Sequence, residues 1–352
     1  MSDVLGNSLK LSIFGESHGP MIGATISGLP SGIKIDEEFI AAQMNKRKAN
    51  DILSTQRQED DIVTIVSGTH KGYTTGTALT VIIENKKQHS SDYKNYFRPG
   101  HADYSGFVRY NSFNDPRGGG HFSGRLTAPL VAIGAIIISY LEEKGIKIGS
   151  RIKEIHGIKD DEIENIDQAI SKFNKEIFPT ISEFQKSLMH DEIIKAKENL
   201  DSVGGTIETF VTGIKAGIGN PFFDSIESCI AHAIFSIPAV KGIEFGLGFK
   251  FKNLYGSEAN DQMRIEDNKI NFLSNNNGGI NGGITNGMPI VFKTCIKPTP
   301  SIYKKQLAIG GTPLTNIDLE IQGRHDPCIV RRALVVINSL TAFTILDCML
   351  SR

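Results

Sequence analysis

Four of the nine histidines, His18, His101, His121 and His325, lie in glycine- or proline-bounded turns next to Glu16, Asp103 or Asp326. Histidine changes protonation near neutral pH and a carboxylate beside it tunes that change, so such turns suit proton transfer. The densest stretch is 97–125, FRPGHADYSGFVRYNSFNDPRGGGHFSGR. It joins two of these histidines to Asp103, to Arg98, Arg109, Arg117 and Arg125, and to Gly118-Gly119-Gly120. A glycine turn lets backbone N–H groups converge on an anion, and a helix starting just beyond adds its partial positive charge. Arginine reads carboxylate or phosphate through two parallel bonds. Other chemistries find less support. There is no H-E-x-x-H and no pair of ligands at i, i+4 for a metal, no G-x-S-x-G elbow and no Walker lysine after the glycines. The pattern fits an anionic substrate and a phosphate-bearing cofactor better than hydrolysis by an activated nucleophile.

The whole chain narrows the field further. Its 352 residues, 39% hydrophobic, can build a substantial core. Lys and Arg number 38 against 39 Asp and Glu, a net charge of -1, so no global field draws the protein to nucleic acid or to an anionic membrane. Any anion must be held by a local cluster. Cys229, Cys295, Cys328 and Cys348 are scattered without C-x-x-C, which argues against a disulfide framework and for a reducing compartment. The opening residues lack a charged segment followed by an apolar one, so no secretory signal is expected. The apolar run 126–141, interrupted by Pro129, reads as too short to span a bilayer. A cytoplasmic location is the expectation.

The elements that must carry these turns can be read in order. Residues 8–14 alternate as a half-buried strand that delivers His18 at its tip. Asp36-Glu37-Glu38 opens a helix that runs out in the basic patch Lys46-Arg47-Lys48, with Arg57 beyond. Residues 61–67 and 78–84 are β-branched strands. Thr127 is expected to cap a helix over 130–140 that is apolar nearly all round and so buried on every side. Residues 203–214 read as a strand, and Asp224 to Glu227 have the spacing of a capping box before a second apolar helix over 226–237. Residues 159–200, rich in charge at helical spacing, read as a peripheral helical elaboration of one domain spanning 1–352. SNNNGGINGGITNG, at 274–287, resembles a disordered loop by composition, but its strand-like flanks favour an ordered cradle. A last apolar helix is expected over 333–349.

Taken together, Gly15-Glu16-Ser17-His18-Gly19, Phe97 to Asp103, Arg117 to Gly120, the 275–287 stretch, Lys297-Pro298-Thr299 and Gly323-Arg324-His325-Asp326-Pro327-Cys328 resemble, in order, the signatures of the chorismate synthase family. The resemblance covers nearly the whole chain. It implies an α+β sandwich with helices enclosed between antiparallel sheets, and a homotetramer. It implies a 1,4-elimination of phosphate from 5-enolpyruvylshikimate 3-phosphate to give chorismate, with reduced FMN as a cofactor that is not consumed and NADPH as a candidate reductant. By the same resemblance His18 serves the departing phosphate, His101 protonates or steadies the reduced flavin, and Asp326 relays a proton near the ring, supported by Ser17 and Ser123. Lys46, Arg47, Arg57 and Arg125 become candidates for substrate or pyridine nucleotide. The flavin cradle draws on His121, Phe122, Ser123, Pro238, Ala239, Gly282, Lys297, Pro298, Thr299, Pro300, Ser301 and Arg324. No metal is implied.

The chain departs from the family pattern after the glycines. His121-Phe122-Ser123-Gly124-Arg125 stands where Arg-Ser-Ser-Ala-Arg is usual, one cation and one hydroxyl fewer. Two other readings stay open at the level of sequence: an NAD(P)H-dependent flavin reductase, which would consume nucleotide stoichiometrically, and a non-catalytic flavin- or anion-binding module, which would never release phosphate.

Overall fold

The computed structural model describes residues 3–48, 61–86, 96–321, 323 and 325–351. Arg57 and Arg324 lie outside the described residues. A first antiparallel sheet is built from β1 (Val4–Leu5), β2 (Lys10–Gly15), β3 (Met21–Ser27), β4 (Thr64–Ser67) and β5 (Leu79–Glu84), in the order β1-β2-β3-β5-β4. Its inward face follows from alternation. Ile22, Ala24 and Ile26 of β3 lie opposite Ile83, Val81 and Leu79 of β5, and all six are buried. Helix α1 (Glu37–Arg47) is crossed over from β3, with Asp36 as its N-cap accepting from the Phe39 N–H at 2.8 Å.

Beyond the short strand β6 (Tyr96–Phe97) and helix α2 (Asp103–Arg109), the chain enters α3 (Thr127–Glu143). Thr127 does not cap it. Its hydroxyl donates to the Gly124 carbonyl at 2.6 Å, and Pro129 falls in the first turn, where a missing N–H costs nothing. Residues Gly124–Glu143 are in fact long and apolar enough to cross a membrane, as are Val330–Leu350, which corrects the reading of that run as too short. Most of both stretches, 78% and 83% of their apolar windows, is buried within the protein.

A second antiparallel sheet combines β7 (Lys147–Ile155), β8 (Ile158–Lys159), β9 (Gly205–Thr212), β10 (Val240–Phe245) and β11 (Ile290–Ile296), in the order β8-β7-β9-β11-β10. Alternation along β9 gives this sheet two apolar faces. Ile207 and Val211 join the main core, while Phe210 points the other way and stacks on Phe173, ring centroids 6.4 Å apart. That outer face is covered by α4 (Ile166–Phe173), while α5 (Glu183–Glu198) packs along β7 and β8 with Met189, Ile193 and Ala196 joining the main core. The inner face meets α6 (Ile226–Phe235) and, after the hairpin β12 (Gln306–Gly310) and β13 (Thr315–Leu319), the long α7 (Val330–Leu350). Ser225, not Asp224, caps α6, accepting from the Ser228 N–H at 3.1 Å.

Helices α3 and α7 pack on each other between the two sheets, and the α+β sandwich is the observed architecture. Their approach is close. A Cβ on Gly134 of α3 would overlap the Ser339 side chain of α7. The far end of α7 is pinned by Asp347, which accepts from the N–H groups of Asn7, Ser8 and Leu9 at 2.8, 2.7 and 2.7 Å. The starts of α3 and α7 and the end of α1 therefore meet at the other end of the helical layer, and the chemistry-bearing turns arrive there.

Candidate functional site

The triple glycine closes onto the β2–β3 turn. Gly118, Gly119 and Gly120 all have positive φ, and a Cβ on Gly118 would strike the His18 imidazole and approach Ser17 Oγ to 2.8 Å. Only glycine lets the two turns approach this far. The Gly120 carbonyl accepts from the Ser17 N–H at 3.1 Å, and His121 Nδ1 shares a 2.9 Å hydrogen bond with the Gly15 carbonyl. Asp115 lies within electrostatic reach of His18. Two bonds from Arg117, at 2.9 and 2.8 Å, hold its carboxyl below the usual range.

Gly119 faces the next cluster. A Cβ there would lie 3.8 Å from Arg98 Nη2 and 3.9 Å from Ser123 Cβ. Arg98 is forked onto Asp103 through Nε and Nη2, both at 2.8 Å. His101 shares a 2.7 Å hydrogen bond with Ser301 Oγ. Its pKa is lowered to about 4 by burial first, then by Arg98, Lys297 and His325, against the opposing pull of Asp103. His101 is therefore a neutral imidazole at pH 7. Lys297 Nζ donates to the Gly100 carbonyl at 2.6 Å, its N–H binds the Ala239 carbonyl at 3.0 Å, and Pro300 packs on Gly100. Burial also lowers His325, with Arg98 adding to it.

Asp326 opens the third cluster. It is buried and accepts from Arg332 Nη1, while Arg332 Nε donates to the Arg47 carbonyl at 2.8 Å. Arg47 Nη2 and Arg125 Nη1 both donate to Asp61, one to each carboxylate oxygen. The Asp61 side chain is 0% exposed and those of the two arginines 6% and 7%. Burial would raise the Asp61 pKa, but the charges of Arg47 and Arg125 outweigh it and hold the carboxyl low. Arg125 Nε reaches Asn85 Oδ1 at 3.1 Å, and Asn85 Nδ2 returns to the carbonyls of Glu16 and Gly19 at 3.1 and 2.8 Å. Hydrogen bonds, electrostatic neighbours and chain continuity thus link these groups in a circuit: His18, the glycine turn, Arg98, His101 and His325, Asp326, Arg332, Arg47, Asp61, Arg125, Asn85 and, through the Glu16 and Gly19 carbonyls, the turn that carries His18.

The circuit also holds unmet donors. Among the described residues, Arg47 Nε, Thr299 Oγ1 and His325 Nε2 are buried with no hydrogen-bond partner. Buried polar atoms are costly unless paired, so these are the places where an anionic or hydrogen-bonding ligand would be stabilised. Thr299 and His325 flank the Lys297–His101 region, a donor set that fits a phosphate-bearing flavin. Cys328, in the same loop as Asp326, is no nucleophile, because burial pushes its thiol up to about 12.

Not every expected residue joins. Lys46 is next to Arg47 in sequence, yet its Nζ donates to the Asn174 carbonyl at 2.5 Å on the outer elaboration. Gly282 is farther still. Its hairpin precedes β11 and lies against Ile218 and Ser225, whereas Lys297 follows β11, so the strand, roughly 23 Å long, separates them. The 274–287 stretch is ordered, as its flanks suggest, around Asp261, which accepts from Ser274, Asn276 and Asn277. Phe122 and Pro238 are exposed, while Ser123 is half-buried with its Oγ accepting from the Arg125 N–H at 3.3 Å. Sequence reasoning missed Asp61, Asn85, Asp115 and Arg332. Asp61 carried one signal in the sequence, a carboxylate at the start of a β-branched run.

The model of the chorismate synthase family matches residues 9–350. The chorismate synthase of Pyrococcus abyssi is 43% identical over 350 residues, covering 99% of this chain and 97% of that protein. That of Korarchaeum cryptofilum is 42% identical over 351 residues, covering 98% and 96%. A crystal structure of chorismate synthase superposes with a TM-score of 0.76 at 29% identity, covering 98% of this chain and 92% of the other.

Proposed function

Because this chain belongs to the chorismate synthase family, we propose that its circuit of histidines and arginines binds 5-enolpyruvylshikimate 3-phosphate beside reduced FMN while the lyase reaction eliminates phosphate and gives chorismate. The observation that carries the assignment of the site is the circuit itself, with a buried, unpartnered Arg47 Nε beside two paired guanidiniums. The substrate brings two carboxylates and a phosphate. Arg47 and Arg125, with Arg57, meet these charges, each charge-assisted bond contributing ~1.5–3 kcal/mol. The starts of α3 and α7 add their partial positive ends to the same region.

His18 is placed to pass a proton to the departing phosphate, with the Asp115 carboxylate within electrostatic reach and Ser17 packed beside it. His101, neutral and oriented by Ser301, accepts a proton or donates a hydrogen bond at the cofactor side. Asp326, tied to Arg332, relays a proton there. The reacting hydrogen is not next to a carbonyl, so a base alone would face a poor carbon acid. When bound, reduced FMN supplies electron density to the substrate and recovers it at the end. Thr299, Lys297, Pro300, Ser301, Ala239, Ser123 and His325 would hold it, joined by His121, Phe122, Pro298 and Arg324.

The molecule assembles as a homotetramer. Phe222, Phe223, Phe249, Tyr255, Ile265 and Ile270 are strongly exposed, Phe223 at 94%, and large exposed apolar surface of this kind is ordinarily covered by another chain. Gly282 lies near this surface and would reach a flavin only from a neighbouring copy. The protein works in the cytoplasm, and NADPH is the reductant to set against dithionite. Flavin reduction as the main activity and flavin binding without catalysis find no support in the relatives named above, which are chorismate synthases. The deciding assay follows chorismate and phosphate release under anaerobic conditions with FMN reduced by dithionite or by NADPH. Well-folded protein that releases neither product with either reductant would remove the reading.

A further inference from the structure

We infer that Asp61 is a positioning residue for the anion site, a solvent-closed counter-ion that holds Arg47 and Arg125 side by side and so sets where a substrate anion lands. The inference rests on the reading of these two arginines as clamps for an anionic substrate. The guanidiniums of Arg47 and Arg125 are buried together with half-buried Arg332 close by, and the charges of Arg332 and Arg125 both act on Arg47. Burial itself is the first force lowering the Arg47 pKa, and its like-charged neighbours add to it. Left alone, like charges in such a place would swing apart toward water.

Asp61 prevents this by geometry. Each of its oxygens takes one arginine, Oδ2 from Arg47 and Oδ1 from Arg125, and no part of its side chain meets solvent. A carboxylate so enclosed lies beneath the pair and does not compete from the solvent side. Asp326 in turn accepts from Arg332, whose Nε donates to the Arg47 carbonyl, so the third arginine is tied to the same corner. Arg47 Nε, buried and without a partner among the described residues, is a donor that Asp61 does not use. The arrangement is a rigid, cationic pair with a donor still to be met, which is what recognition of a phosphate or carboxylate requires.

The test compares wild type with Asp61→Asn and Asp61→Glu, using steady-state kinetics on the substrate, inorganic phosphate titrated by calorimetry at two salt concentrations, and thermal melting as the check on folding. In Asp61→Asn, kcat/KM falls by on the order of 10², mostly through KM, because the clamps no longer stand in register. Phosphate binding tightens by about threefold or more at low salt and falls more steeply with added salt, because one cation has lost its counter-ion. Asp61→Glu keeps the charge, returns the salt dependence to that of wild type and recovers part of kcat/KM. Folded Asp61→Asn protein with wild-type kcat/KM overturns the inference. So does loss of phosphate binding in parallel with activity, or an Asp61→Glu variant no better than Asp61→Asn. A wild type that binds phosphate but never turns over substrate sinks the proposed function instead, and the salt dependence of phosphate binding then still reads Asp61.

Discussion

Two buried ionic clusters, one under the outer elaboration and one at the end of the helical layer, solve the same electrostatic problem with opposite outcomes. In the first, Arg151 is fully buried. Its Nε donates to Glu208 at 2.8 Å, Nη1 to Asp160 at 2.8 Å and to the Asp161 carbonyl, and Nη2 lies 2.7 Å from Glu208. Asp160 is further satisfied by the N–H groups of Ile181 and Ser182 at 2.8 and 3.0 Å. One guanidinium faces two buried carboxylates, and no nitrogen of it is left without a partner. In the second, Asp61 takes one bond from Arg47 and one from Arg125, and Arg47 Nε has no acceptor among the described residues. A cluster whose every guanidinium nitrogen is met holds a fold together; one with a buried donor still unmet asks for an anion. The difference is legible in the unmet donor, since both are almost equally buried.

Substitutions can break this contrast. The largest effect on stability belongs to Arg151→Ala, which strands two buried carboxylates and should lower the unfolding free energy by about 3–5 kcal/mol in urea titrations, with kcat of the folded fraction kept. Arg125→Ala should do the reverse. Asp61 keeps Arg47 as a partner, so melting moves less, while kcat/KM drops by on the order of 10². Equal destabilisation with intact turnover in Arg125→Ala would erase the distinction.

Next in size are His101→Ala and Asp326→Ala, each expected to cut turnover by on the order of 10², the scale of lost acid–base assistance. Circular dichroism and melting should show folded protein in both. Unchanged rates would mean that the chemistry lies elsewhere.

The smallest effect is on acid stability. The folded pKa of His101 is about 4, below an unfolded value of about 6.5, so the unfolded chain binds more protons between these limits. Its contribution is therefore complete above pH 6.5 and is lost as pH falls toward 4. His101→Asn should flatten the decline of the urea midpoint across that window. Titrating FMN at pH 5.5 in buffers of different ionisation heat sharpens the point, since an anion beside His101 raises its pKa and the complex takes up a fraction of a proton. A buffer-independent heat would show that no anion lands there.

Local pattern made most elements readable. The alternation of β2 and β3, the Asp36 cap and the nearly all-apolar α3 and α7 depend on neighbours within a few residues, and the turns bearing His18, His101 and His325 are marked by their own glycines and prolines. Helix ends were less legible. Thr127 and Asp224 have capping side chains, but α3 starts after Leu126 with no side-chain cap and Ser225 caps α6, because the approach of the chain, set by packing, decides which oxygen meets which N–H.

The sequence by itself determined which side chains could carry charge and protons, and that glycine would let turns approach them. Only the tertiary structure decided who meets whom. Arg47 and Lys46 are adjacent, yet the turn of a helix sends one to Asp61 and the other to Asn174. Asp61 lies 14 residues from one arginine and 64 from the other, and no local signal encodes that meeting. Gly118 and Gly282 share the same backbone freedom, but one end of β11 faces the histidines and the other does not. Charge pairing is a property of distance in space, and the packing of α1, α3 and α7 between two sheets fixes that distance.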